Sequence, residues 1–135
     1  MKNQSIGVAL FAHPSVLEEN GSSSIEGVES PYSVNGPHYF VTIVDNNNSL
    51  VIVPCFSKPG FGRVEVPTSA RKGHPSWSGK PCFINFQQLW LTSFEALSRA
   101  AQAANDKSTP HKPNIVDPKW LKSAWRMNFI SNAVH

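Results

Sequence analysis

The chain has 135 residues, 40% of them hydrophobic and 16% charged, a balance that excludes an intrinsically disordered chain and fits one globular domain spanning 1–135. Its net charge of +3 is unevenly spread: residues 1–50 set one lysine against five acidic side chains (−4), and residues 51–135 set eleven basic against four acidic (+7). A basic second half suits a phosphate-binding surface, with an ordinary solvated face as the alternative.

No apolar run approaches the ~20 residues that cross a bilayer. Neither a membrane segment nor a secretory leader is therefore expected, and the expected location is cytoplasmic. Eleven Pro and eight Gly favour short strands and tight turns over long helices.

In chain order, Ile6–Ala12 has strand composition and ends at His13-Pro14. Residues 15–35 are polar, acidic and rich in Gly and Ser, which predicts a long mobile loop. Tyr39–Val44 (YFVTIV) and Leu50–Phe56 (LVIVPCF) flank Asp45-Asn-Asn-Asn-Ser49, the composition of two strands around a tight turn. Arg63–Val66 alternates polar and apolar, as a half-buried strand does. Thr68–Pro81 reads as a loop, and the aromatic run Cys82–Leu91 as one central strand.

The period then changes. Thr92-Ser-Phe-Glu95 fits a capping box, with Thr92 as the cap of a helix reaching about Ala104. Residues 105–114 are a hydrophilic linker with two prolines. Asp117-Pro118 then opens a C-terminal helix: aspartate caps it, and proline needs no N–H at the first position. Leu121, Ala124, Trp125 and Phe129 form one apolar stripe, leaving Lys119, Lys122 and Arg126 as an outward basic face. The pattern predicts an α+β fold: a small, strongly bent antiparallel sheet or partly open barrel with a C-terminal helix and one further short helix.

Standard catalytic motifs and local metal-ligand spacings are absent, so no cofactor and no metal are expected. Cys55 and Cys82 lie in strand-like apolar runs and read as buried thiols, with a disulfide as the alternative. A folded hairpin would bring together one polar cluster. His38 precedes the first strand, Ser57 and Lys58 follow the second, and Arg63 starts the next. Imidazole moves protons near neutral pH, and Lys58 and Arg63 could hold a phosphate. That set suits metal-independent RNA cleavage; a surface histidine beside a Ser-Lys turn is the plainer alternative. The segment Arg71, Lys72, His74 and Trp77 could track a backbone and stack a base, or could be a basic turn with Trp77 in the core.

Several segments carry a resemblance. Gly36-Pro-His-Tyr-Phe-Val-Thr-Ile-Val44 and Val51-Ile-Val-Pro-Cys-Phe-Ser57 resemble the first two motif strands of the MazF/PemK-like toxins of toxin–antitoxin systems. Ile84-Asn-Phe-Gln-Gln-Leu89 resembles that family's later strand with its Asp-Gln pair, and Asp117-Pro-Lys-Trp-Leu121 the start of its last helix. The resemblance implies an SH3-like barrel, a homodimer, and an endoribonuclease that cleaves single-stranded RNA without metal and is neutralised by a cognate antitoxin protein. It implies His38, Ser57 and Arg63 as catalytic residues, and Gln88 as an RNA contact beside Lys58, Arg71, Lys72, His74 and Trp77. His38 stands where the family has an arginine, and Phe56 where it has a threonine. The alternative is a non-catalytic barrel that binds nucleic acid or a protein partner, as a phage or mobile-element interaction protein would.

Overall fold

The computed structural model describes residues 6–19, 23–24, 36–60, 62–106 and 113–133, excluding the side chains of 23, 24 and 128–133. Within these residues the fold is α+β, a strongly curled antiparallel half-barrel with a C-terminal helix and shorter helices. The strands are β1 (Val8–Ala12), β2 (Ser23–Ser24), β3 (His38–Asn46), β4 (Ser49–Phe56), β5 (Arg63–Glu65), β6 (Arg71–Lys72), β7 (Phe83–Asn85), β8 (Trp90–Ser93) and β9 (Asn114–Val116). They are ordered β2-β8-β4-β3-β1-β9-β6, with β7 paired to β4 and β5 to β7.

The β3–β4 hairpin is the centre. Asn46 pairs with Ser49, leaving Asn47 and Asn48 as a two-residue loop with φ of 49° and 75°. Two successive left-handed residues match the twist of the flanking strands, and asparagine tolerates that region better than most side chains. Side chains along β4 alternate between two cores. Val53 and Cys55 face one cluster with Val41, Trp77 and Ile84, and Leu50, Ile52 and Phe56 face the other with Phe40, Trp90 and Leu97. The unbroken apolar run of β4 therefore reflects burial on both faces. A bulge at Ile43 shifts the register between Thr42 and Val44 and helps bend the sheet.

The run read as a single strand over Cys82–Leu91 is two strands, β7 and β8, both on the same edge of β4. Ile52 pairs with Trp90 and Cys55 with Ile84, so three steps along β4 match six along its partner. The extra residues turn away between Asn85 and Trp90, where Asn85 Oδ1 accepts from the Gln87 N–H at 2.9 Å. Pro54, which has no N–H to give a ladder, lies on β4 within that gap.

Other boundaries also move. The segment expected as a loop from 15 begins within helix α1 (Pro14–Glu19), and Ser23–Ser24 pairs with β8; residues 20–22 and 25–35 lie outside the described residues. Thr68–Pro81 holds a 3-10 turn (Thr68–Ala70), β6 and a short helix α2 (Pro75–Ser78). The linker expected over 105–114 ends inside the barrel, because Asn114 is fully buried in β9; residues 107–112 lie outside the described residues.

Helix α3 (Phe94–Ala103) starts one residue later than the capping-box reading requires. Thr92 is paired to Leu50, and Ser93 is the cap, its hydroxyl accepting from the Ala96 N–H at 3.1 Å. Glu95 turns chiefly to the hairpin, with a weaker hydrogen bond to Ser93. Its carboxylate accepts from Asn48 Nδ2 at 2.8 Å, while Asn48 Oδ1 accepts from the Phe94 N–H at 2.8 Å, so the hairpin loop caps the helix from outside. The helix ends with Asn105 left-handed at φ 56°. The Asp106 and Asn105 N–H groups return to the Ala101 and Gln102 carbonyls at 3.0 and 3.1 Å.

The C-terminal helix α4 (Pro118–Ala133) begins as the sequence indicates. Asp117 Oδ1 accepts from the Lys119 N–H at 3.0 Å. Leu121 is buried, Trp120, Ala124 and Trp125 pack on the first core cluster, and Lys119, Lys122 and Arg126 face outward. The side chain of Phe129, the fourth member of the expected stripe, lies outside the described residues.

The Asn48 amide has the largest effect in holding the Glu95 carboxyl below its ordinary range, assisted by backbone and Ser93 hydrogen bonds. A carboxyl whose folded pKa lies below its unfolded one stabilises fully above the unfolded value, and that contribution is lost as pH falls through the folded value. The stability advantage of the wild type over Glu95→Gln should therefore be seen at neutral pH and vanish in acid. Asn48→Asp should show the reverse trend: it places two carboxylates together, lowers the urea midpoint at neutral pH, and recovers as pH falls. Urea melts at several pH values check both trends.

Candidate functional site

One end of the central hairpin forms the floor of a cleft of about 480 Å³. Its side chains come from β1, β3, β4, α2, the segment before β7, and the end of α3. Phe11 pairs across the ladder with Tyr39. Their rings are 5.0 Å apart at 53°, and the Tyr39 and Trp77 rings 4.9 Å apart at 51°, so three aromatics form one wall. Trp77 is anchored by its indole N–H to the Ile115 carbonyl at 3.2 Å.

The hairpin does bring His38 and Ser57 to one end, and both line the cleft. His38 Nδ1 lies 3.0 Å from the Cys55 carbonyl oxygen. A carbonyl oxygen only accepts, so Nδ1 carries the hydrogen, and in the neutral imidazole Nε2 is the basic nitrogen. The ring also meets Phe56 edge-on at 5.2 Å.

Arg63 sits behind this group and does not line the cleft. Its guanidinium carbon lies 3.6 Å above the Phe56 ring, and Nη1 donates to the Lys58 carbonyl at 3.1 Å. Phe56 thus packs between the histidine and the arginine.

The residues proposed to contact RNA separate into two groups. Lys58, Lys72 and His74 are exposed and outside the cleft lining. Arg71, Trp77 and Gln88 are buried, with 6%, 2% and 3% exposure, and of these only Trp77 lines the cleft. Arg71 is a structural cation. Its Nη1 donates to the Trp77 carbonyl at 2.7 Å and to the Lys80 carbonyl, which closes the loop that carries α2. Gln88 belongs to the turn between β7 and β8, its N–H donating to the Asn85 carbonyl at 3.3 Å.

His74 caps α2: the Ser76 N–H donates to Nδ1 at 3.1 Å. That bond makes Nδ1 an acceptor, so the Ser76 hydroxyl, 2.8 Å away, also donates to it. Ser76 Oγ then accepts from the Tyr39 hydroxyl at 3.0 Å. Burial raises the Tyr39 pKa above its ordinary value against the opposing effect of the Ser76 bond, so the phenol stays protonated at neutral pH.

Sequence reasoning missed Tyr39, Ser76, Lys80 and Asn105 as cleft residues. Tyr39 had one available signal, since it follows His38 directly. Lys80 and Asn105 have none, because loop closure by Arg71 and the left-handed end of α3 bring them to the cleft. Among the described residues no group of three His, Cys, Asp or Glu is placed to hold a metal ion, and no helix is long and apolar enough to cross a membrane.

No protein-family model, curated protein or solved structure matches the chain. The chemical reading of the cleft therefore rests on its own residues.

Arg71→Met keeps the aliphatic stem and deletes both hydrogen bonds to buried carbonyls. It should cost about 3 kcal/mol in a urea melt. Trp77 fluorescence should shift as the loop loosens, while Lys72→Met, on the exposed neighbour, should leave the midpoint unchanged.

Proposed function

We propose that the protein is a toxin-like, metal-independent endoribonuclease that takes single-stranded RNA into this cleft. The observation that carries the reading is His38, whose Nδ1 is fixed on the Cys55 carbonyl beside a wall of three aromatic rings. The curled antiparallel half-barrel with its C-terminal helix is consistent with the SH3-like architecture of the MazF/PemK-like toxins, as are the motif segments of the first hairpin. A homodimer and neutralisation by a cognate antitoxin belong to the same proposal.

In this mechanism a base stacks against the aromatic wall, which favours unpaired RNA because paired bases hide their faces. His38 Nε2 takes the proton of the 2′-hydroxyl. The 2′ oxygen attacks phosphorus, the bond to the 5′ oxygen breaks, and a 2′,3′-cyclic phosphate forms. The leaving oxygen takes a proton from the histidine or from water. Lys80 and Ser57 line the same cleft, and in this mechanism their ammonium and hydroxyl stabilise charge on the phosphate. Tyr39 serves as a neutral donor, since its hydroxyl keeps its proton. Arg63 acts at most through Phe56, against which its guanidinium is packed.

That position of Arg63 favours a second reading, a barrel that binds RNA without cutting it. The cation expected at the phosphate is held on an aromatic face and a backbone carbonyl.

A long RNA incubated with the protein in EDTA separates the two. Cleavage should yield cyclic-phosphate ends and fall at least about a hundredfold in His38→Gln. Undiminished cleavage by His38→Gln eliminates the proposed mechanism. Salt-sensitive binding with no product at any protein concentration selects the second reading.

A further inference from the structure

Cys55 and Cys82 are the chain's two cysteines. Both are unbridged and buried, with 6% and 3% exposure, and both line the cleft. The β4–β7 ladder joins them. Cys55 pairs with Ile84 and Phe56 with Phe83, so Cys82, two residues before Ile84, emerges on the same face as Cys55. The two thiols lie in one buried cluster and shift each other's titration, and the buried Arg71 cation acts on both.

The environment gives the two sulfurs different roles. The neighbouring Cys55 lowers the Cys82 pKa, against burial and with the help of Arg71. Burial, and then the neighbouring Cys82, raise the Cys55 pKa well above its ordinary value. Thiolate character is what makes a cysteine nucleophilic, and a second thiol in contact is what resolves an oxidised one. Two apolar residues of equal size would fill this part of the core without either property.

We propose that Cys55 and Cys82 form an oxidisable dithiol in the cleft wall, which a hydroperoxide converts to an intramolecular disulfide. The Cys82 thiolate attacks the terminal oxygen of hydrogen peroxide, the O–O bond breaks, and hydroxide leaves, giving Cys82 sulfenic acid. The Cys55 sulfur then attacks the sulfenic sulfur, and the S–O bond breaks. The leaving hydroxide takes the Cys55 proton as water, while the hydroxide of the first step takes the proton that Cys82 had given up. The two thiols are oxidised to one disulfide, and one peroxide is reduced to two waters.

The experiment treats the folded protein with hydrogen peroxide, then alkylates under denaturing conditions and maps peptides. Both cysteines should lose alkylation, with a Cys55–Cys82 linked peptide pair in a chain that stays monomeric on a non-reducing gel and is restored by dithiothreitol. In Cys55→Ala, dimedone should label Cys82 as the sulfenic acid; in Cys82→Ala, Cys55 should remain alkylatable. Full alkylation of both cysteines after peroxide overturns the proposal, as does a disulfide found only between chains. Dimedone labelling of Cys55 in Cys82→Ala, equal to that of Cys82 in the converse variant, overturns the assigned order. The wild-type peptide map decides the bond even where an alanine variant fails to fold. None of these readouts involves RNA, so the dithiol stands or falls apart from the proposed ribonuclease activity.

Discussion

Burial of β4 on both faces is the constraint on which the other elements depend. Leu50, Ile52 and Phe56 project to one side and Val53 and Cys55 to the other, so each face needs its own cover. Helix α3 supplies one through Leu97 and Ala100, and the curl of the sheet with Leu121 of α4 supplies the other. Each fully buried side chain of this kind contributes about 1.5–3 kcal/mol relative to exposure. The edges of β4 are as occupied as its faces: β3 runs along one, and β8 then β7 along the other. A strand so enclosed has little freedom to shift, because a slip of one residue would exchange the two cores.

That rigidity reaches the cleft through the backbone. The carbonyl that orients His38 belongs to Cys55, the last-but-one residue of β4, so the imidazole is referenced to a strand paired on both edges. Phe56 continues the strand and meets the same imidazole with its edge. The opposite wall is held by other means. Arg71 gathers the Trp77 and Lys80 carbonyls, and Asp106 Oδ1 accepts from the Phe11 N–H at 2.9 Å to tie the end of α3 to β1. One wall thus derives from a sheet and the other from segments held by a few polar links.

Much of the architecture was legible because it follows from local rules. The Asn-rich turn, the two apolar strands around it, and the Asp117-Pro118 helix start each state their structure within a few residues. The site was legible only where the hairpin alone determined it, as for His38 with Ser57. The rest depends on contacts between segments distant in sequence. Pairing with β4 carries both Thr92 and Ser93 into β8, and Ser93, the strand's last residue, supplies the hydroxyl that caps α3. The split of Cys82–Leu91 into two strands falls opposite Pro54 of β4, a match that no periodicity within the run itself reveals.

The cations show why a charge count was the weaker guide to function. Of the basic second half, Arg71 is buried against backbone carbonyls, Arg63 lies on Phe56, and Lys119, Lys122 and Arg126 cover the outer face of α4. Among the described residues, Lys80 is the lysine in the cleft lining. Five of the eleven cations of that half thus go to internal scaffolding, an aromatic platform and an outer helix face, and Lys80 shares the cleft lining with His38. In the proposed ribonuclease, phosphate affinity and proton transfer would fall to different parts of the molecule: long-range attraction to a polyanion to the exposed lysines and arginines, and chemistry to His38 and its anchor. Loss of outer cations weakens encounter and leaves the cleft intact, whereas a change at the Cys55 carbonyl or the Arg71 loop alters the cleft with the surface charge unchanged.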